Sequence, residues 1–186
     1  MTFARRAGVG RLRDGRTVTW SLADGRRGRR WRASTLAADG RLLEDLLLEL
    51  DPAGRLSKIE LAGPGGLLSL HPEGSWLHGN VVGGAGVRHL RQTWTADHVV
   101  LVEGSPVTEA AVVRGGRAGG LGERTRVEAI LVAADLSIHV ATADLERVSN
   151  DAVLIIIDGE RRYVRLDADG VPEELRSGGD WPLELD

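Results

Sequence analysis

Apolar side chains recur at every second position along most of this chain. From Thr17 to Ala23, Val18, Trp20 and Leu22 alternate with Thr17, Thr19 and Ser21, the period of a strand with one face buried. Trp31, Ala33 and Thr35 repeat the pattern against Arg30, Arg32 and Ser34. Between the two runs stands Asp24-Gly25, a pair suited to tight hairpin turns. The segment Arg41–Leu50 admits two periods. Leu42, Leu46 and Leu50 suit a helical face, while Leu46, Leu48 and Leu50 suit a strand. It is bounded by Asp39-Gly40 and Asp51-Pro52-Ala53-Gly54, which favours a strand in a meander.

Alternation continues through Leu56–Leu61, and Leu67–Leu70, Trp76–Val82, Val87–Trp94 and Val99–Glu103 read as further strands. The turn Gly104-Ser105-Pro106 is expected to lead into a strand at Val107–Val113. Strands are also expected at Arg126–Ala134, Leu136–Ala141, Ala152–Asp158, Glu160–Leu166 and Val171–Leu175. Asp144–Asn150 reads as a helical turn or connector. Arg114–Arg124, rich in Gly and Arg, is the expected flexible loop. Gly83-Gly84-Ala85-Gly86 reads as a bulge or wide turn, and Trp181 suggests that the tail docks. About 10–12 short strands, with turn signals every 8–12 residues or so and no long helical stripe, predict an all-β fold. The expected form is a strongly curved antiparallel sheet, or an incompletely closed barrel, in one β-rich domain spanning 1–186.

Composition sharpens this picture in three ways. Aromatic residues make up only 4% of the chain and five of them are Trp, so the core is built mainly from Leu, Val, Ile and Ala. Cysteine is absent, which excludes disulfides, thiolate metal sites and thiol nucleophiles. The formal net charge of −3 gives no general attraction to polyanions. No apolar run reaches the ~18 residues of a membrane helix, and Arg5 and Arg6 are not followed by the apolar stretch of a signal peptide. A cytoplasmic protein without an integral membrane segment is the expectation.

Candidate chemistry is sparse. His71 and His78 lie seven apart, with His89 and His98 further on, and none shows the spacing of a zinc motif. They are read as turn and surface residues, and His139 as half-buried. Ser105 lacks the G-x-S-x-G elbow of a serine hydrolase. A hydrolase would need Ser105 or a carboxylate within hydrogen-bond reach of a histidine. Gly83, Gly84 and Gly86 do not form a phosphate-binding pattern. Arg26–Arg32 (RRGRRWR) places guanidinium beside Trp, the ingredients of base stacking, but its regular spacing favours a solvated face, and no nucleic-acid partner is expected. A curved sheet leaves a concave face on which Trp20, Trp31, Trp76 and Trp94 either line a cavity or fill a core.

Four features together resemble the bacterial glycolipid-binding protein family. They are the Trp-containing strand after the Glu73-Gly74 turn (Pro72–Leu77), the polar, Gly-rich segment that follows it, Gly104-Ser-Pro-Val-Thr running into Ala110–Arg114, and Arg161-Arg-Tyr followed by Leu166-Asp-Ala-Asp-Gly170. The resemblance spans about Val18 to Leu175. It implies a curved antiparallel sheet around a hydrophobic cavity, similar to that of lipoprotein carriers, and it carries over no catalytic residue or cofactor. The chain departs from those carriers in lacking a secretion signal. The expected function is therefore non-enzymatic binding of a lipid or glycolipid-like amphiphile. Trp76 and Trp94 would line the site, with Arg88, Arg91, His78 and His89 at its mouth. The alternatives are an interaction protein pairing through a sheet edge, including with its own copy as a homodimer, and an uncharacterised hydrolase.

Overall fold

A computed structural model describes residues 4–176 and 179–182. The protein is all-β in class, 60% strand, with a large antiparallel sheet and a curled half-barrel sheet. Fourteen strands are formed among the described residues, more than the expected 10–12. The chain divides into two compact units: residues up to Trp94 together with those from Glu174 onward, and Thr95–Glu173.

The first unit holds β1 (Arg5–Arg11), β2 (Thr17–Gly25), β3 (Gly28–Leu36), β4 (Leu42–Leu50), β5 (Leu56–Gly63), β6 (Gly66–Glu73), β7 (Trp76–Gly83), β8 (Gly86–Thr93) and a last strand, Asp180–Pro182. The last strand pairs with β1, and the other eight follow as an uninterrupted antiparallel meander. The tail thus docks through its backbone, with Trp181 opposite Ala7. Leu42–Leu50 is a strand, as its bounding turns require.

Two kinds of turn join the strands of this meander. At Asp14, Asp39 and Asp51 a carboxylate oxygen accepts the N–H two residues on, the local bond that makes Asp a turn residue. The other connections, Gly25–Gly28, Gly63–Gly66, Glu73–Trp76 and Gly83–Gly86, are two-residue turns. The Asp24-Gly25 signal is displaced, since Gly25 pairs with Gly28 and Arg26-Arg27 form the tip. Gly28 has φ +113°, and an added Cβ would stand 2.0 Å from the Leu50 carbonyl oxygen, so no other residue fits there. Gly83–Gly86 closes a turn of the same size rather than a bulge.

Cross-strand partners share a face, and register puts Val18, Trp20, Leu22, Trp31, Ala33, Leu46, Leu48, Ile59, Leu61, Leu68, Leu70 and Leu77 on one side. Each is at most 3% exposed. Water touches almost none of their surface, so no unfilled hollow runs among them. Trp20 and Trp31 pack with ring centroids 5.8 Å apart, tilted by 53°, and belong to the core. Trp20 Nε1–H donates to the Leu175 carbonyl at 3.0 Å. That segment lies so close to β1 that a Cβ on Gly10 would stand 2.5 Å from Leu175 Cα.

The second unit contains β9 (Val99–Val102), α1 (Pro106–Arg114), β10 (Arg124–Val132), β11 (Ile138–Arg147), β12 (Ala152–Ile157) and β13 (Glu160–Arg165). Sheet order is β13-β12-β11-β10-β9, with β9 parallel to β10. A parallel pair needs a crossover connection, and α1 lies on it. Here the expected strand Val107–Val113 is corrected to helix. Pro106 at the first helical turn fits its missing N–H and fixed φ. Thr108 Oγ1 donates to the Ser105 carbonyl and accepts from Val102 N–H. Every residue from Pro106 to Val113 is buried, so no polar face marks a helical period.

Ala110, Val112 and Val113 of α1 pack into one cluster with Val99, Leu101, Ala129, Leu145, Ile155 and Val164. Two other expectations change. Ile138–Arg147 is one ten-residue strand in place of a short strand and a helical connector. The expected strand Val171–Leu175 is a single bridge at Pro172 and a 3₁₀ turn, Glu173–Arg176. The Gly/Arg loop after α1 is tethered: Arg147 donates to the carbonyls of Gly119 and Ala118, and its own carbonyl accepts from Gly122 N–H.

Candidate functional site

The six residues singled out in sequence divide into three places. Trp76, His78 and His89 share the outward face of β7 and β8 with Arg91, because Trp76 lies opposite Thr93, His78 opposite Arg91 and Asn80 opposite His89. Arg91 stacks on Trp76, its guanidinium carbon 3.7 Å from the ring centroid, and the His89 ring bonds Asn80. Arg88 is opposite Val81 and so belongs to the other face. Trp94 is 6% exposed and part of the core. The hairpin turn also brings His71 and His78 onto one face, ring centroids 6.4 Å apart. No cavity is formed by these six together, and no group of three potential metal ligands occurs among the described residues.

A built cavity lies instead in the second unit, with a volume of about 260 Å³. Leu101 of β9, Leu131 of β10 and Ile155 and Ile157 of β12 give it an apolar floor. They face the same way because Leu131 is opposite Leu101 in the parallel pair and Ile155 and Ile157 alternate along β12. Arg162 of β13 stands opposite Ile155, and Glu160 opposite Ile157. The Asp158-Gly159 turn, with φ values of +51° and +84°, is a tight hairpin and carries Asp158 to the rim. His139, opposite Leu131, is exposed at the mouth rather than half-buried.

One polar pair enters from the helix. Glu109, buried in the first turn of α1, accepts a hydrogen bond from Arg162 Nη1–H at 2.9 Å. Burial pushes its carboxyl above the ordinary 4.5, while the hydrogen bond and charge of Arg162 pull it partly back. Arg162 also reaches Glu160 at 3.2 Å. The guanidinium is thus pinned between two carboxylates, and Glu103, Asp158 and His139 remain at the mouth as hydrogen-bonding groups. A buried carboxylate with a perturbed pKa beside an apolar cavity is a recognised mark of a functional site. Its signal was in the sequence: Glu109 is the one charged residue in Pro106–Val113.

The residues of the hydrolase alternative sit elsewhere. Ser105 is 2% exposed at the start of α1, beyond a substrate's reach. His98 does meet a carboxylate, with Nε2 2.6 Å from Glu128. Its Nδ1 accepts from Thr95 N–H, so both ring nitrogens are engaged in holding the Thr95 turn against β10.

An all-β protein with a small, apolar-floored, acid-rimmed cavity is what fold and site define. In backbone, the chain is similar to the crystal structure of a DUF1089 family protein from Pseudomonas aeruginosa, with a TM-score of 0.55 and 16% identity over 92% of this chain and 89% of that one. At that identity the likeness concerns the fold alone. No family model matches the chain, and no curated protein does.

Proposed function

We propose that this protein is a non-enzymatic binding module for a small amphiphile, taken up by the cavity between α1 and β9–β13. The observation that carries the reading is the joining of a floor of Leu101, Leu131, Ile155 and Ile157 to the buried Glu109–Arg162 pair. The floor offers an apolar tail a dry surface, and the rim offers hydrogen-bond acceptors. Carboxylates at Glu103 and Asp158 suit a head with hydroxyl donors, such as a sugar, better than an anionic one. The volume of about 260 Å³ lies just under the ~300–1,000 Å³ of drug-sized ligand sites. It accommodates a short alkyl segment or one sugar-sized group, and a whole two-chain lipid would remain mostly outside.

Pairing through the sheet edge has less behind it, because the outer strand β8 carries Arg88 and Arg91, charge of the kind that keeps an edge from pairing. The test is calorimetry with alkyl glucosides below their micellar concentration. Ile157→Trp, which fills the cavity, is expected to weaken binding at least about tenfold, or ~1.4 kcal/mol. Trp76→Ala is expected to leave it unchanged. Undiminished binding by Ile157→Trp, or loss on Trp76→Ala alone, overturns this assignment.

A further inference from the structure

Neither the fold nor the amphiphile cavity explains the arginine-rich run that closes the β2–β3 hairpin. There a second cavity opens in the first unit, with a volume of about 510 Å³, and five arginines line it. Register shows how they are assembled. Ala23 of β2 is opposite Arg5 on one neighbouring strand and Arg30 on the other, so two guanidinium stems flank a methyl-sized floor on the same face. Arg26 and Arg27 form the tip above it, held in place by the Gly25–Gly28 pair.

Two of the five are committed to structure. Arg29, 6% exposed, is gripped by both oxygens of Asp24 at 2.6 Å each, and Arg30 is paired with Glu49. These bonds make the wall rigid. Arg5, Arg26 and Arg27 have no ion-pair partner among the described residues. Five guanidiniums against two carboxylates leave a local excess of positive charge, in a chain whose net charge is −3. Such an excess costs stability through self-repulsion unless an anion relieves it.

We infer that this hairpin cavity binds a phosphate-bearing ligand, with Arg5, Arg26 and Arg27 supplying its charge-assisted hydrogen bonds. The forked donors of arginine match the oxygens of phosphate in pairs, and a terminal phosphate carries close to two negative charges at neutral pH. The volume falls within the ~300–1,000 Å³ of small-molecule sites. A nucleic-acid strand fits less well. Trp31, the aromatic residue of the run, is 1% exposed and offers no face for a base to stack on.

The same phosphate chemistry is presented by a free phosphorylated metabolite and by an acidic lipid headgroup. The experiment has an arm for each: calorimetry of the full chain with inorganic pyrophosphate, and sedimentation with phosphatidylcholine vesicles with and without phosphatidic acid. The expected result is binding in at least one arm, weakened at least about tenfold by Arg26→Gln/Arg27→Gln and again by Arg5→Gln, or ~1.4 kcal/mol at each step. Binding of pyrophosphate identifies a soluble ligand, and binding of acidic vesicles alone identifies a headgroup. All three side chains are exposed on strand ends or the turn tip, and the variants are expected to fold. Arg161→Gln, an exposed arginine of the second unit, controls for total charge and is expected to change nothing. Binding in neither arm, binding indifferent to the hairpin variants, or equal weakening by Arg161→Gln overturns the inference.

Discussion

Replacing Arg162 with Met removes a cation while keeping most of the stem, and the cost depends on pH in a way the geometry dictates. Glu109 and Arg162 lie 2.9 Å apart, where unit charges attract by roughly 1.4 kcal/mol in water and roughly 6 kcal/mol at an effective dielectric of about 20. Arg162 is 37% exposed and Glu109 12%, so solvent screens one partner and much less the other. The coupling should therefore fall between that of a surface pair, under ~1 kcal/mol, and that of a buried pair, about 3–5; we expect ~1–3 kcal/mol at neutral pH.

The sign of the pH dependence follows from burial. Glu109 is held above the ordinary 4.5 in the folded chain. Its contribution to stability is full below that value and is lost as pH rises through the folded pKa. Without Arg162 the pull toward ionisation disappears, the folded pKa climbs further, and the loss at neutral pH deepens. A cycle of Glu109→Gln, Arg162→Met and the double variant isolates the pair. The assay is hydrogen exchange at β12 and β13 amides, since all five tryptophans lie outside Thr95–Glu173 and their fluorescence reports only the other unit. A coupling below ~0.5 kcal/mol, or one equal at about pH 4 and at neutral pH, refutes the reasoning.

Trp20→Phe leaves the buried Leu175 carbonyl without its donor and is expected to cost ~1–3 kcal/mol in urea unfolding followed by tryptophan fluorescence. Exchange should quicken at Val9 N–H, which donates to the Gly179 carbonyl; an unchanged midpoint counts against Trp20 as the anchor of the C-terminal segment. Leu136 has φ +63° in a turn whose counterparts at Gly15 and Gly40 have φ +87° and +83°, yet it is 1% exposed. Leu136→Gly relieves about 1–2 kcal/mol of backbone strain but forfeits the ~2–5 kcal/mol typical of truncating a buried leucine. A net loss of ~1–3 kcal/mol is expected by calorimetric unfolding, and a more stable variant would show that the strain outweighs the packing.

The meander was legible because its two signals agree. In β2, β3 and β4 the alternating residues named from sequence are those the structure buries, and the Asp39 turn separates the last two strands. Errors of register stayed small there: the β2–β3 turn moved by two residues because Gly25 pairs instead of turning. The second unit was harder to read for identifiable reasons. Val99–Val102 is buried on both faces, so it shows no alternation, and nothing local says that its partner is parallel. The six residues that the sequence offers for the site are aromatic and cationic types near one another along the chain. Alternation along β8 sends Arg88 and Arg91 to opposite faces, and Trp94 goes to the core. Position along the strand, more than residue type, decided which of them could meet.

The misread helix and the cavity are one problem. A run such as Pro106–Val113 can be buried as a strand or as a helix, and small and β-branched residues do not distinguish the two. Ser105-Pro106 before it and Gly115-Gly116 after it are helix start and stop signals, and they outweigh the β preference of three valines. As a strand, the run would send Glu109 to one face of a sheet, free to reach water. As the first turn of a helix packed on β9–β13, it drives the carboxylate under the surface, where Arg162 must meet it. Local pattern and final structure disagree at the point where burial of a charge needs compensation, and such points are where function is expected to reside. The buried Glu109 is thus the reason to look for a ligand in this cavity before the flatter Trp76 face, where Arg91 already covers the ring.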